Sequence, residues 1–382
     1  MTLHTHDPKH ETHHSVADAT RPHIIRSPAS PTRITPQPWR RLRTALLGAL
    51  GAGVLSMGVC TNAQASYADH HEAQRFIEDM RARHDFDTAE LQNTLARAQR
   101  EPRVIRLITP PARKGAPRSW QGYRSRFLDR TRIEGGTRFW REHEAELARA
   151  EQQFGVPAEV IVAIIGVETL YGRNTGNFET LSALATLAFD YPPRAELFRR
   201  ELESLLLLAR EQGRDPASYS GSYAGALGYP QFLPSSVRAY AVDFDANGRI
   251  DFESNPVDAI GSVANYLHAH GWQPGAPVAE RARIAPQADV ATLVAAGIEP
   301  ALAPETLTRQ GVSALDGDAP AALATLVDLE TPGEETEFWL GYRNFYVITR
   351  YNRSSFYAMS VFELAEALRL RRLVEAIRAE RR

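Results

Sequence analysis

The sequence predicts a mainly α-helical protein with a small β portion, which is the α+β class. Most segments after residue 65 repeat apolar residues at intervals of three and four, the period of a helix with one buried face. Two short stretches, 104–108 and 338–349, have instead the length and apolar spacing of strands. With 382 residues, 43% of them hydrophobic and 24% charged, the chain can form two or three domains with proper cores.

Residues 1–65 predict a leader followed by a secretory signal. Six of the twelve histidines lie in the first forty residues, which is typical of a disordered or non-native leader; a metal-binding tract is the alternative. A basic end at 40–43, an apolar run at 44–59 and small residues at 63–65 then form a signal. We therefore expect export to the periplasm with cleavage after Ala65. The apolar run is short for a membrane span, so membrane attachment is less favoured.

Charge and cysteine content restrict the partners and the metal chemistry. The formal net charge is −2, and no folded stretch interleaves a basic block with aromatics, which argues against a nucleic-acid partner. Cys60 is the single cysteine, and the bulky Val59 before it makes a poor lipoprotein site. Because Cys60 would leave with the signal, the mature protein would contain no disulfide and no thiolate metal site.

The mature chain after the signal reads as a series of helices with one irregular insertion. Helical periods occur at 72–83, 88–100, 138–154, 160–172, 180–189, 194–210, 258–270 and 360–378. The Pro-rich segment 102–115 predicts an extended connection. We divide the chain into a leader and signal (1–65), an N-terminal helical part (66–150), a central core with an Asp-rich loop (151–275), a looser insertion or small lobe (276–335) and a C-terminal part (336–382). The last helix has a basic surface, which is a solvated face or contacts an anionic polymer.

Glu168 is the first candidate for a catalytic residue. It ends an otherwise apolar run, and on a helix it shares a face with Ile161 and Ile164, seven and four residues earlier. Loss of solvation on such a face raises the pKa of a carboxyl group and keeps it protonated nearer neutral pH, as a proton donor requires. The alternatives are a core acid paired with a buried arginine, or an acid that surfaces where the helix ends at Gly172, the expected C-cap.

Two loops after the central helix have compositions typical of ligand sites. Segment 222–236 combines small residues with two tyrosines and one amide, so its backbone can approach a ligand closely; a tight helix–loop crossing is the alternative. Segment 243–251 places acids or amides at alternate positions before a glycine, as in the first three quarters of an EF-hand loop. Its twelfth position is Ser254 instead of the usual Glu, although Glu253 and Asp258 are near enough to complete the shell. An Asx-rich turn without metal is the alternative.

Five ordered motifs resemble the membrane-bound lytic transglycosylase B family of peptidoglycan-cleaving enzymes. The resemblance covers about residues 120–368 and rests on V-E-T-L-Y-G at 167–172, the 222–236 loop, the Asp-rich loop, D-A-I-G-S-V-A-N-Y at 258–266 and R-Y-N-R-S at 350–354. It implies a lysozyme-like catalytic core embedded in a helical domain. It also implies cleavage of the β-1,4 bond between MurNAc and GlcNAc without added water, which leaves a 1,6-anhydromuramoyl end.

The resemblance also implies roles for individual residues. Glu168 would act as acid and then as base, so that no second carboxylate and no catalytic cofactor are needed. Substrate contacts are expected from Tyr123, Ser222, Gln231, Tyr266, Tyr351, Asn352 and Tyr357. A structural Ca²⁺ would be held by Asp243, Asp245, Asn247, the Arg249 carbonyl and Asp258. Trp120 and Phe127, at helical spacing around Tyr123, are more typical of a core.

Two other functions stay open at this point. One is a muramidase that admits water, and the other is a non-catalytic scaffold that binds peptidoglycan. The expected partner is a peptidoglycan glycan strand, acted on by a monomer that could also join a wall-remodelling complex.

Overall fold

The structure is a computed structural model, and it describes residues 66–110, 117–315, 318 and 321–381. The leader, the signal with its cleavage after Ala65, and Cys60 lie outside the described residues. The helices are α1 (His71–His84), α2 (Thr88–Arg97), α3 (Pro102–Ile108), α4 (Trp120–Arg124), α5 (Arg130–Glu142), α6 (Glu144–Phe154), α7 (Ala158–Thr169), α8 (Thr180–Asp190), α9 (Ala195–Gln212), α10 (Pro234–Tyr240), α11 (Pro256–Ala269), α12 (Val290–Ala295), α13 (Pro304–Arg309), α14 (Arg343–Tyr351) and α15 (Ser355–Glu380). The strands are β1 (Phe178–Glu179), β2 (Ser220–Gly221), β3 (Ala279–Ile284), β4 (Val312–Ala314), β5 (Thr325–Leu329) and β6 (Glu337–Gly341). The prediction of a mainly α fold with a small β portion is confirmed.

Helix α7 lies in the middle of the helical part because it has no polar face to expose. All of its residues except Glu159 and Glu168 are buried. It packs against α5, α6, α11 and α15, which surround it on several sides. Burial of this kind contributes roughly 1.5–3 kcal/mol for each large aliphatic side chain, so α7 is a rigid platform for the residues at its end.

The small β portion is a four-stranded antiparallel sheet with its own apolar cluster. The strand order is β4-β3-β6-β5, so only the central pair, β3 and β6, joins strands that are not consecutive in sequence. The inner faces carry Val312, Leu326 and Leu340, which pack with Leu293 and Leu307 from α12 and α13. Segment 276–335, expected to be looser, supplies β3, β4 and β5 of this sheet, whereas the five-part division of the chain stays a prediction.

Three local predictions were wrong. The segment 102–108 is helical, not extended. Pro102 occupies the first turn of α3, where a backbone N–H has no partner within the helix, so its missing N–H costs no hydrogen bond. Val104 and Ile108 then lie on one buried face of the helix. The strand predicted at 338–349 is correct for 338–341, which lie in β6, but residues 343–351 form α14. A helix that is buried on almost all sides has apolar residues at alternate positions too, so the pattern did not distinguish the two. The predicted single helix at 138–154 is divided at His143.

Within the described part of the chain, no single helix combines the length and apolarity needed to cross a bilayer. Helices α6 and α7 reach that length and apolarity only together, and the chain bends by 113° between them.

Candidate active site at the end of α7

Glu168 lies in the last turn of α7 with its carboxyl group beside one hydroxyl. The Tyr357 hydroxyl donates a hydrogen bond of 2.7 Å to Glu168 Oε1. The residue is partly exposed, but the loss of solvation around its carboxyl group raises the pKa of Glu168 to about 7, while the Tyr357 hydrogen bond acts in the opposite direction. No arginine or lysine of the described chain forms an ion pair with Glu168, so the alternative of a core ion pair is wrong. A carboxyl group of this pKa can both donate and accept a proton near neutral pH.

The chain turns sharply just after Glu168. Helix α7 ends at Thr169, and Leu170 caps it in the left-handed conformation with φ 51°. Tyr171 has φ 60° and Gly172 has φ 83°. The helix therefore ends before the Gly172 cap that the sequence suggested. Two successive non-glycine residues at positive φ store backbone strain, which surrounding contacts must hold in place.

Tyr171 provides one of those contacts through a slot lined by glycines. A Cβ at Gly136 would lie 2.3 Å from the Tyr171 hydroxyl oxygen, and a Cβ at Gly166 would lie 2.5 Å from it. The hydroxyl donates a 2.9 Å hydrogen bond to the Arg132 carbonyl. Only glycine at these two positions lets the ring lie between α5 and α7. The sequence analysis missed the slot, for which the Gly135-Gly136 pair inside a helix was the available signal.

Thr169 provides the second contact and joins the turn to the 222–236 loop. Its buried hydroxyl donates to the Tyr229 carbonyl at 3.1 Å and accepts from the Gly172 N–H at 3.0 Å. The guanidinium of Arg132 donates through Nε to the Gly166 carbonyl at 3.1 Å, near the end of α7. Thr169 and Arg132 therefore both fix the end of α7. The sequence analysis named Thr169 only as part of the 167–172 motif and did not name Arg132.

Two tyrosines from the C-terminal part form a wall beside Glu168. Tyr351 and Tyr357 are both buried, and their rings stack with centroids 6.4 Å apart. Burial, and then the nearby Glu168 carboxylate, raise the pKa of both hydroxyls well above the ordinary tyrosine range. The Tyr351 hydroxyl donates to the Pro230 carbonyl at 2.6 Å. This bond connects the wall to the loop that carries Gln231.

Asn352 follows this wall and has an unused donor. The residue is 3% exposed, and its Oδ1 accepts from the Ser354 N–H at 3.2 Å. Its Nδ2 is buried and has no hydrogen-bond partner among the described residues. A buried amide donor without a partner costs stability, so its retention favours a group that arrives with a ligand.

The polar side chains of the 222–236 loop mainly hold the loop itself. Ser222 Oγ accepts the N–H of Ala226 at 3.0 Å. Gln231 has φ 52°, and its Nε2 donates to the carbonyls of Gly228 at 2.9 Å and Thr175 at 3.1 Å. These bonds make the loop a defined surface. The sugar contacts expected of Ser222 and Gln231 stay predictions.

The other two predicted substrate tyrosines differ in exposure. Tyr123 is partly exposed and packs on Phe127 and Phe356, with ring centroids 5.1 and 5.7 Å away. Tyr266 is buried, and its hydroxyl donates to the Arg350 carbonyl at 2.7 Å. Its ring lies 4.9 Å from that of Tyr351. Tyr266 thus supports the tyrosine wall from behind, and its expected place in the lining of the groove stays a prediction.

Three carboxylates meet at the predicted metal loop. One ligand oxygen each from Asp243, Asp245 and Asp258 lies within 4.8 Å of the others. Asp258 is fully buried in the first turn of α11 and accepts the N–H groups of Phe244 at 2.8 Å and Asp251 at 2.9 Å. Carboxylate oxygens in this number and at this spacing fit a hard cation such as Ca²⁺.

The remaining groups of the metal loop are arranged differently. Asn247 Oδ1 accepts the Arg249 N–H at 2.9 Å, which closes the turn between two of the predicted ligands. Ser254, at the EF-hand position usually occupied by Glu, bonds to Asp251, and Glu253 forms an ion pair with Arg214 at 3.3 Å. Of the two acids weighed as replacements, Asp258 joins the cluster and Glu253 does not.

Comparison with known proteins gives one consistent result. The family model described as the transglycosylase SLT domain matches residues 68–366. The membrane-bound lytic murein transglycosylase B of Escherichia coli K12 is 42% identical over 327 residues, covering 80% of this chain and 85% of that protein.

Two solved structures add to this result. E. coli lytic transglycosylase Slt35 in complex with calcium has 42% identity and a TM-score of 0.70, over 80% of this chain and 95% of that one. SltB3 of Pseudomonas aeruginosa in complex with NAG-anhNAM-pentapeptide has 28% identity and a TM-score of 0.68, over 78% of each chain. Similarity of this extent, over nearly all the described residues, means that the chain belongs to the lytic murein transglycosylases that carry the transglycosylase SLT domain.

Proposed function

We propose that this chain is a peptidoglycan lytic transglycosylase in which Glu168 acts first as acid and then as base. It cleaves the β-1,4 bond between MurNAc and GlcNAc and leaves a 1,6-anhydromuramoyl end. The observation that carries the proposal is one carboxyl group with a pKa of about 7, beside a tyrosine hydroxyl and without a cationic partner in the described chain. Hydrolysis with two carboxylates would require a second acid near the first.

The reaction proceeds in two proton transfers. Protonated Glu168 donates its proton to the glycosidic oxygen, the bond from C1 of MurNAc to that oxygen breaks, and GlcNAc leaves with a free 4-hydroxyl. The N-acetyl oxygen of MurNAc stabilises the positive charge at C1. The Glu168 carboxylate then takes the proton from the C6 hydroxyl of the same MurNAc as its oxygen attacks C1. Glu168 ends protonated, and no water is consumed.

Tyr357 keeps the Glu168 carboxyl group oriented and limits how far its pKa rises. The hydroxyl donates to Oε1, so it stabilises the carboxylate that the second step needs. The buried donor of Asn352 and the partly exposed ring of Tyr123 are our candidates for sugar contacts near the cleaved bond. Ser222, Gln231 and Tyr351 complete the proposed substrate-binding set, with Tyr266 supporting Tyr351.

We propose a structural rather than catalytic role for calcium. Asp243, Asp245 and Asp258 would hold the ion, with Asn247 and the Arg249 carbonyl as further ligands. The ion would neutralise three neighbouring carboxylates and fix the loop between α10 and α11. We further propose action on periplasmic peptidoglycan by a monomeric enzyme, with or without a larger wall-remodelling complex.

Product analysis of Glu168→Gln and the parent protein tests the reaction. We expect mass spectrometry of digested sacculi to find anhydro products from the parent and about 10²- to 10⁴-fold slower release from the variant, with glycan binding retained. Glu159→Gln, a change of the same chemistry at the other end of α7, is the control and should keep full activity. Hydrated products would identify a muramidase instead. Full lysis by Glu168→Gln would exclude the single-acid mechanism.

A further inference from the structure

Helix α15 has two apolar faces, and only one of them is covered. Its first half buries Val361, Leu364 and Leu368 against the body of the protein. Beyond Leu368 most side chains are exposed, while Arg372 and Glu375 still face the body. Arg372 lies over the Trp140 ring at 5.6 Å and forms an ion pair with Glu144, so this end of the helix is attached along one side.

The opposite side carries an uncovered apolar stripe. Leu370, Leu373, Val374 and Ile377 are 51%, 52%, 41% and 40% exposed. Their spacing of three, four and seven residues places all four on one helical face. Most of the exposed large hydrophobic side chains of the described chain belong to this stripe. A contiguous apolar face of this kind is typical of an interaction surface.

The residues around the stripe are strongly basic. Residues 369–382 contain six arginines and two glutamates, a net charge of +4, whereas the whole chain carries −2 and its other residues therefore carry −6. Arg371 is paired with Glu375 at 3.5 Å. Arg378 and Arg381 are exposed and form no ion pair with any residue that the structure describes. Arg369 is likewise paired with Glu366 at 2.7 Å, so the unpaired guanidinium groups lie beside Ile377 and just beyond it, at the end of the stripe.

We propose that this face of α15, defined by Leu370, Leu373, Val374 and Ile377, docks on an anionic phospholipid surface. An interfacial helix buries an apolar stripe at the level of the headgroups and places arginines against lipid phosphates. The stripe and its unpaired arginines supply both parts. Docking would hold the enzyme at a membrane beside its polymer substrate without any spanning segment.

Charge and polarity distinguish this partner from others. A second copy of the same helix would bring one +4 segment against another, so like charges would oppose pairing. An anionic glycan would satisfy the arginines but would leave four aliphatic side chains in water. Only a surface that is both apolar and anionic satisfies both features.

Vesicle flotation of the full chain tests the proposal. The stripe variant carries Leu373→Gln and Ile377→Gln, and the control variant carries Ala376→Gln and Ala379→Gln, exposed positions of the same turns outside the stripe. All three proteins share residues 1–65, so the leader cannot cause a difference between them. On vesicles of phosphatidylethanolamine and phosphatidylglycerol we expect the stripe variant to bind at least about tenfold more weakly and the control within about twofold of the parent.

Two further readouts decide between the outcomes. Parent binding should weaken on phosphatidylcholine vesicles and at high salt, and circular dichroism should report equally folded variants. Equal binding by the stripe and control variants overturns the proposal. A parent dimer in sedimentation velocity that the stripe variant abolishes, without a change in vesicle binding, would make the face a self-association surface and also overturns it.

Discussion

Two acidic regions of this protein place the same functional group in different surroundings. Glu168 is a single carboxyl group at the end of an apolar helix, whereas Asp243, Asp245 and Asp258 lie together within 4.8 Å. The first has one hydroxyl partner and a pKa raised to about 7 by burial. The second group accepts backbone N–H bonds and suits a cation. Surroundings, rather than residue type, decide whether a carboxyl group moves a proton or binds a metal.

The two regions are also held in different ways. The turn after Glu168 is fixed by side chains that come from elsewhere, namely Tyr171 in its glycine slot and Thr169 bonded to the Tyr229 carbonyl. The metal loop is fixed largely by its own backbone, as when Gly248 donates to Asp243 Oδ2 at 2.7 Å. The turn after Glu168 thus depends on packing by distant side chains, whereas the Asp-rich loop depends on local hydrogen bonds.

The largest expected difference between these regions is the pH dependence of stability after Glu168→Gln. The folded pKa of Glu168 lies above its ordinary value of 4.5, so the folded state binds more protons between pH 4.5 and about 7. The free energy of unfolding therefore falls as pH rises through this interval, by at most about 3 kcal/mol for this group. Urea unfolding at pH 4.5 and pH 8 should show a smaller fall in the variant than in the parent.

An exposed glutamate supplies the control for that measurement. Glu142→Gln, at the end of α5, should leave the parent's pH dependence unchanged. An equal fall in the parent and in Glu168→Gln would contradict the desolvation of Glu168.

Calcium should affect the other region by a comparable but smaller amount. A ligand that binds only the folded state stabilises it by about 2.7 kcal/mol at one hundred times its Kd. We expect Ca²⁺ to raise the Tm of the parent and not that of Asp245→Asn, while turnover at low temperature stays close to the parent value. Asp289→Asn, which changes the exposed N-cap residue of α12, should keep the calcium response. Loss of turnover on chelation, without loss of folding, would indicate a catalytic ion instead.

The sequence predicted the acids of both regions for physical reasons. Glu168 was identifiable because an acid that follows an apolar run on one helical face must lose solvation. The loop ligands were identifiable because oxygen donors at alternate positions before a glycine are a local pattern. The helical class followed from periodicity for the same reason, since it depends on neighbours within a few turns.

Features that depend on distant contacts could not be predicted in this way. The slot for Tyr171 requires Gly136 from another helix, and no local pattern connects the two residues. The hydrogen bond from Tyr357 spans 189 positions of sequence. Helix α14 has the alternation of a strand because it is buried on nearly all sides, and periodicity alone cannot separate these cases.

Gly136→Ala should destabilise the turn after Glu168 without changing the Asp-rich loop at 243–251. The added Cβ would lie 2.3 Å from the Tyr171 hydroxyl oxygen and 2.6 Å from Leu368 Cδ2, so the ring must move. We expect a loss of about 1–3 kcal/mol in the free energy of unfolding, as is usual for overpacking, together with a lower kcat. Gly122→Ala, where the nearest atom would be 3.4 Å away, is the control. A retained calcium response in Gly136→Ala would show that the two regions are held separately, whereas unchanged stability and kcat would exclude the slot as a support.

The smallest effect is expected from Tyr357→Phe, and it tests what a single hydroxyl contributes to the proton-transfer site. The Tyr357 hydrogen bond lowers the pKa of Glu168, so its removal should raise that pKa above about 7. Because the first step needs protonated Glu168, kcat/KM of the parent should fall about tenfold for each pH unit well above its pKa. In the variant this fall should begin at a higher pH. The rate on the acidic side should be lower than in the parent, because a carboxyl group of higher pKa is a weaker acid and donates its proton less readily. If the alkaline fall of the pH–rate profile begins at a lower pH in the variant, or at the same pH as in the parent, Tyr357 acts on the substrate and not on Glu168.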